Sequence, residues 1–530
     1  MLIGLSYLAS RIQSGDSWPA LHRHYGEDSS LLKSRLELLS RLVSFALERW
    51  GDREVLLVRV PARVNLMGVH VDHRGGFLNY QTFARETLLV ASPRQDDRIT
   101  ACNVNPNYPE TEFSIGELLP PESRGNWMRF IEGFHLEKGH CSNYLKAAAF
   151  KIQDRFPDRP IRGFDLCVYG DIPPGAGLSS SSSLVVGTMM IANRMNGLGL
   201  SNEGMVPLCA EGEWFVGTRG GAGDQGAMLL CKRGLVTHLR FFPMEYRYAP
   251  LPKGYSVVVC HSRIEAQKSA GARETFNLRV SGYALSLLWV KDKFPEYADR
   301  LEHLRDIHPV TLQVDEGMIY EILRTVPVEI TAEELLRDLP SRKDEVEKVF
   351  STFGRSSQPY PLREILLFGL AECRRAEVFA DLLDRGDVGT AGRLMYISHD
   401  GDRVSRTRDG ASEPYRSPHD DEFLEARIQD CRSADPDRME QAALQYQPGG
   451  YRCSVPDLDR MVDVCSRVEG VAGAGLTGAG LGGCILVLVR DEAVENLCKT
   501  LDREYYRPLG REPFMEVCVS VAGADFIGES

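Results

Sequence analysis

Hydrophobic positions along the chain follow two periods that alternate. In "SSLLKSRLELLSRLVSFALERWG" the residues Leu32, Leu36, Leu39 and Leu42 recur on one face between an opening serine pair and Gly51, which predicts a helix. From Glu54 the texture becomes strand-like, with "EVLLVRV", "FLNYQTF" and "TLLVASP" each closed by Gly, Pro or charge. "CSNYLKAAAFKIQDRF" reads as a helix. In "GFDLCVYGDIPP" Phe164, Leu166 and Val168 alternate with Asp165, Cys167 and Tyr169, the period of a half-buried strand, and "LVVGTMMIANRMN" is apolar enough for a buried helix. A second set of strands and helices opens with "GYSVVVCHS" at Gly254. Residues from about 290 to 365 read as a charged helical insertion, and those from about 399 to 423, rich in charge, Ser and Pro, as a mobile surface loop. Near the end "AGAGLTGAGLGGCILVLV" joins a glycine-rich loop to a strand. The pattern predicts an α/β protein of two domains, residues 1–250 and 251–530.

Composition narrows the class. A length of 530 residues exceeds one ordinary core and, at roughly 150 residues per domain, allows two to four domains. With 43% hydrophobic and 26% charged residues the chain reads as soluble and globular. A net charge of −12 gives no general attraction to nucleic acid or an anionic membrane, and no stretch approaches the roughly 20 apolar residues that span a bilayer. The N-terminal "MLIGLSYLASRIQSG" carries no basic leader. Thirteen cysteines without CxxC spacing fit reduced thiols rather than a disulfide framework. A cytoplasmic monomer or weak dimer is expected, with a small molecule as partner and neither nucleic acid nor membrane. His70 and His73 in "HVDH" lack the further ligands of a zinc site.

Three loops carry candidate chemistry. In "GDIPPGAGLSSSSSLVVG" five serines are locked between a strand and an apolar helix, a context unlike that of a flexible linker. Gly175 and Gly177 let the backbone approach an anion, and Ser179, Ser180, Ser181, Ser182 and Ser183 bring hydroxyls and N–H groups to the positive end of the next helix, as a phosphate cradle requires. The lysine of a P-loop is absent. The alternative is a serine-capped structural turn. "PARVNLMGVHVDHRGG" places Arg63, Asn65, His70, Asp72 and His73 in a turn-rich segment after a strand, suited to gripping vicinal hydroxyls or else a solvated connection. "AEGEWFVGTRGGAGDQGAM" puts Glu211 and Glu213 on a helix before a glycine turn that delivers Asp224, a potential base or a mere cap.

Taken together and in this order, with the late "GAGLTGAGLGGC", the loops resemble the GHMP kinase superfamily and, within it, the galactokinases. The resemblance runs from about residue 50 onward, with further similarity in "GRLMYISH" and "VPDLDRMVDVC". It implies a two-domain GHMP kinase fold, with a ribosomal-protein-S5-like N-terminal half and a ferredoxin-like C-terminal half. It also implies ATP-dependent phosphorylation of the anomeric hydroxyl of a free sugar. Carried over residue by residue, Asp224 is the general base and Arg63 the cation beside it. Ser181 is a Mg²⁺ ligand, and the loop of Pro173, Gly175, Ala176, Gly177, Leu178 and Ser179 to Ser183 holds ATP. His70, Asp72 and the Gly221 backbone hold the sugar.

Several positions depart from that pattern. The family's second Mg²⁺ ligand falls on Gly212, so Glu213 is expected to take its place, with Glu211 as the alternative. Gly475 stands where the third motif carries a cation. The family's sugar-binding Glu is Val69, its Tyr is His73, and a further sugar-contacting Tyr is replaced around Thr275. Because Val69 offers no acceptor to a C6 hydroxyl, L-arabinose, a deoxy sugar or galacturonate is a candidate beside galactose. Some relatives are sensors that bind ATP and sugar without turnover, and their serine loop is damaged; here the loop has full length.

Overall fold

The computed structural model describes residues 2–15, 18–136, 139–217, 220–265, 270–408 and 411–528. The leucine-rich run forms helix α1 (Ser29–Trp50). Its cap is Asp28 rather than the serine pair: one carboxylate oxygen accepts from the backbone N–H of Ser30 and Leu31 at 2.9 Å, and Gly51 closes the helix at φ +69°.

The strands, in chain order, are β1 (Ile3–Gly4), β2 (Glu54–Met67), β3 (Leu78–Pro93), β4 (Arg98–Asn103), β5 (Thr111–Ser114), β6 (Phe164–Gly170), β7 (Leu235–Arg240) and β8 (Glu245–Pro250). There follow β9 (Tyr255–His261), β10 (Ser405–Arg408), β11 (Ala411–Pro414), β12 (Val471–Leu476), β13 (Cys484–Arg490), β14 (Met515–Val517) and β15 (Asp525–Phe526). β2 and β3 are longer than the sequence suggests. β2 runs on through Arg63 and Asn65, and the two expected strands "FLNYQTF" and "TLLVASP" fuse into β3. Every residue of β2 after Glu54 is buried, so no alternation marks where it ends.

Nine strands among the described residues form one sheet, in the order β1-β2-β3-β6-β4-β5, with β7 and β8 continuing from β3 and β15 on β2. One face packs on α1, where Leu39, Leu42 and Val43 meet Leu57, Leu88 and Val90. The other face packs on α2 (Ser142–Arg155), α3 (Ser180–Met195), α4 (Asn202–Glu213) and α5 (Gly223–Leu230), whose Phe150, Val185 and Met189 meet Val58, Val60 and Leu89.

The second sheet, β12-β13-β9-β14, is antiparallel throughout. The chain passes from one sheet to the other between Pro250 and Tyr255. The expected second half, 251–530, nevertheless lends its last strand to the first sheet, pairing Asp525 with Arg59 and Phe526 with Val58.

The helical insertion is broader than 290–365. It opens with α6 (Ala270–Lys293) and leads into α7 (Leu362–Asp384) and α8 (Val388–Asp402). It has its own core around Tyr283, Tyr320, Tyr360 and Phe368, which Val69 enters from the first half. The segment 399–423, expected as a mobile loop, carries the end of α8 and the β10–β11 hairpin, of which residues 409–410 lie outside the described residues. Arg403 pairs with Asp463 at 2.7 Å and the Ser405 N–H donates to Asp459 at 2.8 Å. Asp400, Arg403, Arg406 and Arg416 are held in ion pairs, which composition cannot distinguish from solvated charge. Among the described residues no helix is long and apolar enough to cross a membrane.

Candidate active site

The serine loop lies where the two halves meet. Ala176 and Leu178 are fully buried between the sheets, beside Val64, Val257 and Leu486, so their contribution to a ligand is backbone alone. A Cβ at Gly478 would come within 3.0 Å of the Gly177 carbonyl, and one at Gly483 within 3.1 Å of the Ala176 carbonyl; the third glycine-rich loop therefore lies directly on the serine loop. Gly175, Gly177 and Ser179 take positive φ in the tight turn that launches α3.

The five serines part ways. Ser179 Oγ donates to the Asp224 carboxylate, and Ser182 Oγ donates to Glu213 Oε2 at 2.8 Å. Ser183, expected among the phosphate contacts, is turned into the core. Its hydroxyl bonds to Thr87 Oγ1 at 2.6 Å and donates to the Ser180 carbonyl at 2.7 Å. Ser180 and Ser181 remain half-buried at the first turn of α3, and Pro173 to Ser182 line a cavity of about 700 Å³. Asn103, Tyr108, Tyr144 and Leu145 line it further from the loop, residues no motif singled out.

At the end of this cavity β2 and α5 bring together Arg63 and Asp224, 161 residues apart. The guanidinium grips the carboxylate with both Nε (2.7 Å) and Nη2 (2.8 Å), while Nη1 donates to the Gly177 carbonyl at 2.7 Å. Arg63 is 4% exposed. Burial opposes its charge, but the Asp224 carboxylate outweighs burial and holds the pKa above its ordinary value.

Glu213, the last residue of α4, faces the same point. Burial pushes its pKa up to about 7, and the Asp224 charge adds to this against the hydrogen bonds of Ser182, Gln225 and Ser181. Glu211 faces elsewhere, 2.8 Å from Lys151 Nζ. At Gly212 a Cβ would come within 3.1 Å of the Ala147 carbonyl, so the contact of α4 with α2 is tight at the place of the Glu of the family pattern. Two neighbouring carboxylates with serine hydroxyls form an oxygen-rich donor set that fits Mg²⁺.

A second, smaller cavity of about 190 Å³ meets the first. The two share Arg63, Ser182, Glu213, Asp224 and Ala479 as walls. Asp72 and Gly221 face each other so closely that any Cβ at 221 would overlap the Asp72 carboxylate. Residues 218–219 of the glycine turn lie outside the described residues. Burial opposes the Asp72 charge, but the His73 Nδ1–H (2.8 Å) and the Gly223 N–H hold its pKa below the usual carboxylate value. Burial, with Arg74 adding, lowers the His73 pKa, which keeps its ring neutral at neutral pH.

His70 also borders the cavity, with its side chain 3% exposed. The ring stacks on Tyr451 at 4.2 Å and its Nε2 lies 3.3 Å from Asp402 Oδ2 on α8. Tyr80, Phe276, Val280 and Tyr451 also line the cavity. None of these four could be read from the motifs, although Phe276 adjoins Thr275, where the family pattern loses its Tyr.

Residues 143–232 match the GHMP kinases N terminal domain, 428–507 the GHMP kinases C terminal model, and 47–93 the galactokinase galactose-binding signature. These three matches place the chain's similarity in the GHMP kinase superfamily. Within it, the chain is 28% identical over 479 residues to galactokinase of Roseiflexus sp. (strain RS-1), covering 89% of this chain and 93% of that protein. It is 25% identical over 474 residues to galactokinase of Homo sapiens, covering 88% and 92%. The solved structure of Lactococcus lactis galactokinase complexed with galactose matches with a TM-score of 0.62 at 20% identity, over 92% of this chain and 99% of that one. The two-sheet architecture is thus the GHMP kinase fold. In this kinase the signature match spans β2, the loop that carries His70 and Asp72, and β3, while the N-terminal match holds the serine loop, Glu213 and Asp224.

Proposed function

We propose that this sugar kinase transfers the γ-phosphoryl group of ATP to the anomeric hydroxyl of a free galacto-configured monosaccharide, giving the sugar 1-phosphate and ADP. One observation carries the reading: a nucleotide-sized and a monosaccharide-sized cavity meet at the Arg63–Asp224 pair. Phosphoryl transfer asks a protein for positioning and for charge neutralisation more than for covalent chemistry.

In this reading the backbone of Gly175 to Ser179 and the N-terminus of α3 receive the phosphates. Asp72, with the Gly221 backbone opposite, grips ring hydroxyls, and the neutral His73 holds Asp72 in orientation. Asp224 accepts the proton of the attacking hydroxyl, and Arg63, bonded to both of its oxygens, holds it aligned. Ser181 and Glu213 would hold Mg²⁺, which supplies charge neutralisation on the phosphates. Asp224→Asn should leave ATP binding largely intact and lower turnover by about 10²-fold or more. The measurement is ADP release across a panel of sugars, and near-normal turnover in a clean preparation would remove Asp224 from this role.

The choice of sugar rests on Val69, Phe276 and Val280, an apolar part of the wall without a hydrogen-bond acceptor on any side chain. A C6 hydroxyl buried against it would lose a partner, worth about 1–3 kcal/mol or roughly 5- to 150-fold in relative kcat/KM. Galactose should then be outperformed by L-arabinose or a fucose-like deoxy sugar. Galacturonate is the third sugar to compare. Val69→Glu should shift preference toward galactose. Galactose already the best substrate, and unimproved by that change, would show that position 69 does not read C6.

A further inference from the structure

Behind the sugar loop lies a carboxylate that the chemistry above does not use. Glu372, within α7, is fully buried. Its Oε1 accepts from the backbone N–H of Gly68 at 2.9 Å and of Val69 at 3.0 Å, and from Ser398 Oγ at 3.0 Å. Its Oε2 accepts from Arg375 Nε at 2.7 Å, and Arg375 Nη1 in turn donates to the Gln447 carbonyl at 2.7 Å.

Two consecutive N–H groups aimed at one oxygen fix the orientation of two successive peptide planes. The need for such a hold follows from the next residue. His70 stands at φ +63°, a conformation that a side chain with a Cβ adopts only when its surroundings impose it. Glu372 holds the chain just before that residue, while Tyr451 and Asp402 hold its ring. The sugar loop therefore takes its shape from α7 and α8. The reacting pair Arg63 and Asp224 is held instead on β2 and α5.

We propose that Glu372 is a positioning residue for the sugar: it latches the Gly68–Val69 backbone so that Val69, His70 and Asp72 meet the substrate in one arrangement, without touching it. The inference rests on the reading that the smaller cavity takes a sugar. A carboxylate is needed because donors approach from both sides. In Glu372→Gln the single amide oxygen can serve either the loop or Arg375, and the guanidinium charge wins it, leaving an NH₂ group against two N–H donors.

The expected result for Glu372→Gln is a rise of about tenfold or more in KM for the sugar, kcat at saturating sugar within about threefold of wild type, and KM for ATP unchanged. Amide hydrogen exchange across residues 66–72 should speed up while that of residues 176–183 does not. An unchanged sugar KM together with unchanged exchange overturns the proposal. Equal damage to the sugar and ATP constants also overturns it, because that is the signature of a general structural role. If the single variant does not fold, Glu372→Leu combined with Arg375→Leu removes both buried charges at once, a change such pairs tolerate, and the same comparisons are read on it. Wild-type protein without turnover on any sugar defeats the kinase reading alone, and the exchange measurement then decides the latch by itself.

Discussion

Five consecutive serines are chemically identical on paper and have four different surroundings in the fold. Ser179 serves Asp224, Ser181 and Ser182 serve Glu213, Ser183 serves the core, and Ser180 lines the larger cavity. The motif marked the run but could not divide it, because each hydroxyl's partner comes from a distant segment. The same holds for Glu211 and Glu213. Two residues apart near the end of a helix, they point apart, and only the packing of Gly212 on Ala147 tells which one faces the serines. Glu213→Gln should therefore raise the Mg²⁺ concentration for half-maximal activity by about tenfold or more, since hard cations prefer charged oxygen, while Glu211→Gln should do little. A Mg²⁺ titration of ADP release with both variants checks this, and the opposite ranking would transfer the role to Glu211.

At the scale of elements, β2 and β3 carry the site on one of their shared ends and a buried charge cluster further along. Arg59 and Glu86, both almost wholly buried, pair at 2.9 Å; Tyr25 Oη donates to Glu86 at 2.6 Å, and Arg59 Nη1 donates to the carbonyls of Ala522 and Gly523. One ion pair thus joins the N-terminal helices, the central strands and the returning C-terminal segment. Removing one partner strands the other charge in a dry interior, so Glu86→Ala should cost about 3–5 kcal/mol of stability. Urea unfolding measures it, and a loss under about 1 kcal/mol would mean that water or another group reaches Arg59. Helices and short strands of this architecture were legible from periodicity. The ends of β2 and β3 were not, because strands covered on both faces lose the period of two.

Across the whole molecule, three buried histidines set an acid limit. Burial lowers the pKa of His24 and His238 to about 3 and that of His261 to about 4, with neighbouring arginines adding to each shift. Unfolded, each would take up a proton near pH 6.5; between there and the folded value the unfolded chain binds more protons, so stability falls as pH falls. Each histidine contributes about 1.4 kcal/mol per pH unit below 6.5, or about 2 kcal/mol at pH 5. The urea midpoint should be clearly lower at pH 5 than at pH 7. Equal midpoints would show that these rings are hydrated in solution.

By itself the sequence determined the α/β class and the three loops, because turn chemistry, anion-binding loops and helix faces are local and leave local patterns; the resemblance of those loops to the GHMP kinases then singled out Arg63, Asp72 and Asp224, and left Glu213 and Glu211 for the fold to separate. Tertiary structure alone decided that Arg63 and Asp224 touch and that the third glycine-rich loop braces the first. It also decided that Phe276, Val280 and Tyr451 wall the smaller cavity and that Glu372 holds its loop from more than 300 residues away. Those contacts join segments whose spacing along the chain carries no signal: closing a long loop costs little more than closing a shorter one, so proximity in space is set by packing.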